Sequence, residues 1–513
     1  MLPSILSSLA GVCGGYLGYT LASFLTYPLL HPLTVLAIVG ATYATQSAWT
    51  WGVHTVSPRP RRALRARRLS FMSELISDNP FPDAAETRDC PIHAALFMDS
   101  LPSVDEIVAL TSDVLLAHDR FACPVLPVPP TLLEHGFRAW GPRPSTPDWA
   151  YHVQDHPVDS EHAALSACQD LVGDVLDPEK PLWQVRLLRT PGNGGVFLLR
   201  ISHVVGDGVS LVHTLISLLT RDDGEPYQMP AFARRNGRRE RSLGERLAGG
   251  AAFVVGSIKA GIKVLTLPSG PRDTPNAVKR SLVGWRQPDN YVLARTRPVS
   301  LDRIKAIKTA LGATINDVIA TALALAVRSY LVSIGDTAAL QANSNNPLLR
   351  VFLPYAFAQR EKPLTNKWCF LSLTLPMAEA DPSTTLAGIK AEIDALKSTP
   401  EAYFQLYLQQ LAAAVLPTQA RKQTALDIML SHSLVFTNVP GPPSQVFLAG
   451  KPVRDIMVWI GNLISQVSAL SYNGSITTTF VLDATTVPDP SLLVDHFEAA
   501  FDTLERAASA SST

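Results

Sequence analysis

The sequence predicts an α/β protein built in two lobes and preceded by an apolar N-terminal segment. Three observations carry this expectation. The chain has 513 residues, too long for one ordinary domain and long enough for two sizeable cores. Short apolar runs, partly β-branched, mingle with helical periodicity in two successive stretches, residues 71–222 and 298–507. Residues 1–58 contain no Asp, Glu, Lys or Arg, and from about Leu69 onward the composition is that of a globular protein.

Within that uncharged segment, Leu2–Tyr27 and Leu33–Val56 flank a Pro28–Pro32 break. Each is near the ~20 residues a helix needs to cross a bilayer. Arginines at 59, 61, 62, 65, 67 and 68 follow at once, making 59–70 a basic juxtamembrane segment that the positive-inside tendency holds in the cytosol. The pattern predicts a transmembrane helical hairpin over 1–58. One span plus one interfacial helix is the alternative. A cleaved signal peptide fits less well, because the n-region has no positive charge and the apolar run is too long.

In the first lobe, Pro91–Leu101, Val185–Leu188 and Val196–Ser202 read as strands, and Val104–Phe121 and Leu165–Leu176 as helices. The segment Leu198–Ser210, LLRISHVVGDGVS, runs from a buried-strand pattern into a glycine turn and then a helix over Val209–Leu219. His203 stands where the apolar run ends, and Asp207 lies between Gly206 and Gly208. An imidazole at a strand end suits a general base, since much of it is neutral at pH 7. The glycines are expected to permit a backbone path that a side chain would block.

Residues 223–297 read as a crossover linker. It holds a basic stretch, Ala233–Arg246, and an apolar segment, Leu247–Leu267, interrupted by Lys259 and Lys263 at helical spacing. That pattern fits a helix lying on a membrane or on a lobe better than one spanning it. In the second lobe Leu301–Leu311, Asn316–Val332 and Ser491–Ala507 read as helices. Leu349–Pro354, Phe370–Leu375, Ser433–Thr437, Leu470–Tyr472 and Ser475–Leu482 read as strands.

Net charge is +0, which gives no case for nucleic-acid binding. The five cysteines lack CxxC spacing, so neither a metal site nor a disulfide framework is expected, and they fit a reducing compartment. The histidines lack metal-ligand spacing, and there is no P-loop or dinucleotide fingerprint, so no bound cofactor is predicted.

SHVVGDG resembles the HHxxxDG signature of the acyltransferases that include chloramphenicol acetyltransferase, peptide-synthetase condensation domains and the wax ester synthase/diacylglycerol acyltransferase family. Four further landmarks resemble blocks of the last of these. They are Pro181-Leu182-Trp183 in LDPEKPLWQVRLL, Asn316-Asp317 in GATINDVIATALALAVRSYL, FTNVPGP with Asn438 and Gly441, and LSYNG at Leu470–Gly474. They occur in the family's order and cover roughly residues 85–505. One departure stands out: Ser202 occupies the place of the signature's first histidine.

The resemblance implies a chloramphenicol-acetyltransferase-like fold of two lobes with mixed sheets and a tunnel between them. It implies acyl-CoA as cosubstrate and a fatty alcohol or diacylglycerol as acceptor, giving wax ester or triacylglycerol. It makes His203 the catalytic base, and no GxSxG elbow points to a covalent route. Asp207 has two readings: orienting His203, or holding the loop through an arginine. Asn316 is placed like an N-cap and is also a candidate oxyanion donor or orienter of His203. Gly208, Pro181, Trp183, Asp317, Asn438 and Gly441 are expected to be structural, and Ser202 to hydrogen-bond nearby backbone. Apolar substrates and the hairpin suggest the endoplasmic reticulum membrane or a lipid droplet, with membrane lipid as a partner. A catalytically silent lipid-binding homologue, or an acyltransferase with another acceptor, is the rival reading.

Overall fold

The computed structural model describes residues 63–64, 67–77, 91–129, 137–229, 243–267, 270–279, 290–337, 340, 349–357, 364–415, 418–487 and 489–510. The expected hairpin over 1–58 and half of the basic segment 59–70 lie outside the described residues. Among the described residues Ile315–Ser333 alone is long and apolar enough to cross a bilayer, and it is a buried core helix.

Two mixed sheets dominate. The five-stranded one has the order Asp455–Ile460, Ile92–Met98, Gly195–Ile201, Trp183–Arg189, Val153–Pro157, and only its last pair is parallel. Every residue of Gly195–Ile201 is buried, which explains the continuous apolar run in its sequence. The pleat sends Phe197, Leu199 and Ile201 into one core and Val196 and Leu198 into another on the opposite face.

The second sheet has the order Trp368–Leu375, Leu349–Ala356, Leu434–Pro440, Gln466–Tyr472, Ser475–Asp483, Tyr291–Arg295, with Val299–Ser300 also pairing Ser475–Asp483. Its parallel pairs flank Leu434–Pro440. Helices Ile315–Ser333, Pro382–Ser398 and Pro490–Ala510 pack together beside it over a single core. Ser475–Asp483 follows a two-residue turn, Asn473-Gly474, with φ of 44° and 79°. Two successive positive φ values mark the primed hairpin turn for which an Asn-Gly pair is suited.

The lobes interlock. Asp455–Ile460, from the C-terminal half, forms the edge of the first sheet against Ile92–Met98. Phe447–Leu448 pairs with Leu219–Thr220. Boundaries at 222 and 298 therefore do not separate the two sheets, because Tyr291–Arg295 precedes 298 and Asp455–Ile460 crosses back. In the linker, Leu243–Thr266 forms one helix of 24 residues packed on helix Glu401–Val415, with Lys263 3.1 Å from Glu401.

Candidate active site

His203 sits just beyond the end of the central strand of the first sheet. Trp183 pairs with Ile201 across the ladder, and the Ser202 amide donates to the Leu182 carbonyl at 3.0 Å. Pro181 and Leu182 are buried with them. The Trp183 indole N–H donates to the Phe121 carbonyl at 2.9 Å, and its ring stacks on His152 at 4.4 Å. Trp183 is a fully buried wedge that fixes the strand end.

The loop that follows is held by side chains. Ser202 is buried, and its hydroxyl oxygen accepts from the Val204 amide at 3.0 Å. The His203 ring is half-buried, its Nδ1 enclosed without a hydrogen-bond partner and its face 5.3 Å from the Trp368 ring. Burial pushes its pKa below the ordinary imidazole value, against smaller opposing effects of its own backbone carbonyl and the Asp207 charge. Burial thus favours the neutral imidazole, the form in which a ring nitrogen can accept a proton.

Asp207 is buried at the N-cap of helix Gly208–Ser217. Its Oδ1 accepts from the Ser210 amide at 2.9 Å, and its Oδ2 accepts from Thr365 Oγ1 at 3.1 Å and the Lys367 amide at 3.2 Å. No bond joins it to His203 among the described residues. The expectation of an arginine on this carboxylate needs correction: Arg120 approaches closely enough for its charge to act on Asp207, but donates to the Val205 carbonyl at 2.9 Å. The Ser210 and Lys367 amides and the Thr365 hydroxyl supply the hydrogen bonds to the carboxylate instead.

Gly208 is also corrected. Neither it nor Gly206 has positive φ, and a Cβ on Gly208 would meet nothing within 4 Å. It is the exposed first residue of the helix, so the turn does not require glycine there.

In the second lobe, Thr314 and not Asn316 is the N-cap of Ile315–Ser333. The Thr314 hydroxyl accepts from the Asp317 amide at 3.3 Å, and Asp317 Oδ2 accepts from the Thr314 amide at 2.8 Å, forming a capping box. Asn316, two residues after the cap, is exposed, and its Oδ1 accepts from Asn438 Nδ2 at 2.6 Å. That bond uses the Asn316 oxygen and not its two N–H donors. Among the described residues no hydrogen bond links Asn316 to His203. Gly441 does need to be glycine: a Cβ would lie 2.4 Å from the Ser471 carbonyl oxygen.

The segment Leu364–Trp368, which the sequence reading passed over, crosses from the second lobe onto the histidine loop. Asn366 Nδ2 donates to the His203 carbonyl at 2.6 Å and to Ser73 Oγ at 3.1 Å, while Ser73 Oγ donates to the Val204 carbonyl at 2.9 Å. The Trp368 indole N–H donates back to Asn366 at 2.7 Å. Asn366 lies 163 residues from His203 and Ser73 lies 131 from Val204, so no local spacing marks them. The only signal was a short polar run, TNK, opening an aromatic strand.

A two-lobed acyltransferase fold with a histidine loop clamped between the lobes is the class so defined. A family model described as the wax ester synthase/diacylglycerol acyltransferase catalytic domain matches residues 77–319, and the WS/DGAT C-terminal domain matches 364–505. Wax ester synthase/diacylglycerol acyltransferase 5 of Arabidopsis thaliana is 25% identical over 400 residues, covering 69% of this chain and 77% of that protein. The wax ester synthase/diacylglycerol acyltransferase structure from Marinobacter aquaeolei aligns with TM-score 0.57 at 18% identity, over 86% of this chain and all of that one. The starter condensation domain of rhizomide synthetase, a mutant form in complex with C8-CoA and Leu-SNAC, aligns with TM-score 0.53 at 12% identity, over 87% of this chain and 96% of that one. The chain belongs to the wax ester synthase/diacylglycerol acyltransferase family. It is an acyl-CoA-dependent O-acyltransferase of the class that forms wax ester or triacylglycerol.

Proposed function

We propose that the chain transfers a long-chain acyl group from acyl-CoA to a fatty alcohol or diacylglycerol, with His203 as general base. The observation that carries the proposal is the clamp on His203. Its loop is tied to both lobes through Asn366 and Asp207, its Nδ1 is enclosed, and its ring is held neutral by burial. With Nδ1 enclosed, Nε2 is the nitrogen that meets the acceptor. The hydroxyl oxygen attacks the thioester carbonyl as its proton passes to Nε2. The tetrahedral oxyanion then collapses, the C–S bond breaks, and the thiolate recovers the proton from the imidazolium. No covalent acyl-enzyme forms.

Asp207 acts as a positioning residue, since its oxygens are directed at Ser210, Thr365 and Lys367. Asn316, with two N–H donors not used by Asn438, is the oxyanion candidate. Ser202 replaces the usual histidine at little cost because its hydroxyl holds the turn. The uncharged residues 1–58 anchor the protein in the endoplasmic reticulum membrane or at a lipid droplet, with the catalytic lobes in the cytosol.

The test supplies labelled palmitoyl-CoA with hexadecanol and diacylglycerol in competition to membranes from cells that lack neutral-lipid synthesis and express the chain. Label in wax ester or triacylglycerol ranks the acceptors. Label in neither contradicts the proposed acceptors.

A further inference from the structure

We propose that one side of the molecule, made by the linker helix Leu243–Thr266 and the adjoining helix Glu401–Val415, seats directly on a lipid surface. Val255, Ile258, Ile262 and Leu265 are 52%, 59%, 58% and 55% exposed. Their spacing of three, four and three residues places them in one stripe along the helix. The opposite face is the packed one: Ala260 and Val264 are buried, and Lys263 pairs with Glu401. On the neighbouring helix Tyr403 and Tyr407, one turn apart, are 55% and 66% exposed. Between the helices Phe253, Ser257, Ile258, Gly261 and Phe404 line a shallow apolar depression. A continuous apolar stripe on the solvent side is what an interfacial helix presents, with tyrosines suited to headgroup depth.

Two further facts select lipid as the occupant. The fold's first described helix, Phe71–Ser77, packs on the same Glu401–Val415 helix. In the sequence that helix follows the uncharged residues 1–58 and the arginine cluster. The charge is also complementary: Lys259 is exposed on the linker helix, and the chain leading into it carries Arg234, Arg235, Arg238, Arg239 and Arg241, suited to anionic headgroups. Helix Glu401–Val415 packs on strand Trp368–Leu375, whose first residue faces His203. Docking would thus bring the lipid surface close to the catalytic loop. The inference deepens the proposed action on lipid acceptors, and its primary test does not depend on turnover.

The full-length protein, with Cys13 and Cys90 replaced by serine and its other cysteines buried, is labelled at Ile262→Cys with an environment-sensitive nitrobenzoxadiazole dye. It is then reconstituted in phosphatidylcholine/phosphatidylserine vesicles, with Thr309→Cys on an exposed helix as control. The expected result is blue-shifted emission at 262, quenched by doxyl-labelled phosphatidylcholine, and neither effect at 309. Water-exposed emission at 262 overturns the proposal. So does a blue shift that the doxyl lipid does not quench, which would mean that residues 1–58 or a second copy cover the face. In parallel, Ile258→Glu with Leu265→Glu should lower turnover of vesicle-borne hexadecanol by roughly tenfold or more while sparing hexanol with octanoyl-CoA. Unchanged use of vesicle-borne acceptor counts against the proposal. Failure of the parent protein on every acceptor would instead contradict the acyltransferase reading, and the dye would still decide the surface.

Discussion

Asp207→Ala separates a structural from a catalytic carboxylate. The side chain caps helix Gly208–Ser217 and accepts two more hydrogen bonds from Thr365 and Lys367 of the other lobe. Loss of an N-cap costs ~1 kcal/mol, and each bond to a buried charge contributes ~1.5–3 kcal/mol. The three share one carboxylate, so their losses overlap. Loss of the acceptor for the Ser210 and Lys367 amides and the Thr365 hydroxyl should cost about 3–5 kcal/mol together. For an interlocked unit of this size the melting temperature should fall by roughly 3–6 °C. The assay is thermal unfolding of the detergent-solubilised protein beside turnover, with His203→Ala and Asp207→Asn for comparison. His203→Ala should lose turnover and melt near the parent. Asp207→Asn keeps an acceptor for Ser210 but sets an amide against the Lys367 N–H, so it should cost about 1–2 kcal/mol. Lost activity in Asp207→Ala at an unchanged melting temperature would refute the structural role and leave Asp207 as an orienter of His203.

Other expectations follow from the same geometry. Gly208→Ala should be neutral or slightly stabilising, by up to ~1 kcal/mol, because its Cβ meets open space at a helical position. Gly441→Ala should destabilise strongly, because its Cβ would lie 2.4 Å from the Ser471 carbonyl; comparative thermal unfolding checks both. Asn366→Ala should lower kcat with little change in KM, since the side chain is buried and its loss frees the His203 carbonyl; retained kcat would show that the clamp is dispensable. The acid limb of kcat/KM should lie below ~6.5, because burial holds the His203 pKa down; a limb above that value would contradict the burial effect. His432, stacked on Phe352, has its pKa lowered to about 3, chiefly by burial. The unfolded chain therefore binds a proton there that the folded one refuses, and stability present above ~6.5 is lost as pH falls toward 3. His432→Gln should flatten that part of the melting-temperature profile.

What the sequence revealed and what it hid divide along physical lines. The strand Gly195–Ile201 was legible because burial on both faces writes the apolar run Val196–Leu199, and Ser475–Asp483 because its residues are largely β-branched or aromatic. Helix Ile315–Ser333 was legible from its alanine-rich, apolar composition, but its start was misassigned: INDV offered Asn316 as a cap while the Thr314–Asp317 box lay two residues earlier. Val153–Pro157 was missed because an edge strand of sequence VQDHP is polar. Asp455–Ile460 was not among the expected strands, and nothing in DIMVWI says that it pairs with Ile92–Met98. At the site, His203 and Asp207 stand in one short motif, whereas Asn366, Thr365 and Trp368 reach them only through the exchange between lobes.

The most direct test of the account compares wild-type and His203→Ala protein for transfer of label from palmitoyl-CoA to hexadecanol or diacylglycerol at matched expression and matched melting temperature. The account predicts that label in the ester falls by about 10²–10⁴-fold in the variant, the contribution of a general base. Ester formation by His203→Ala at the wild-type rate would contradict it.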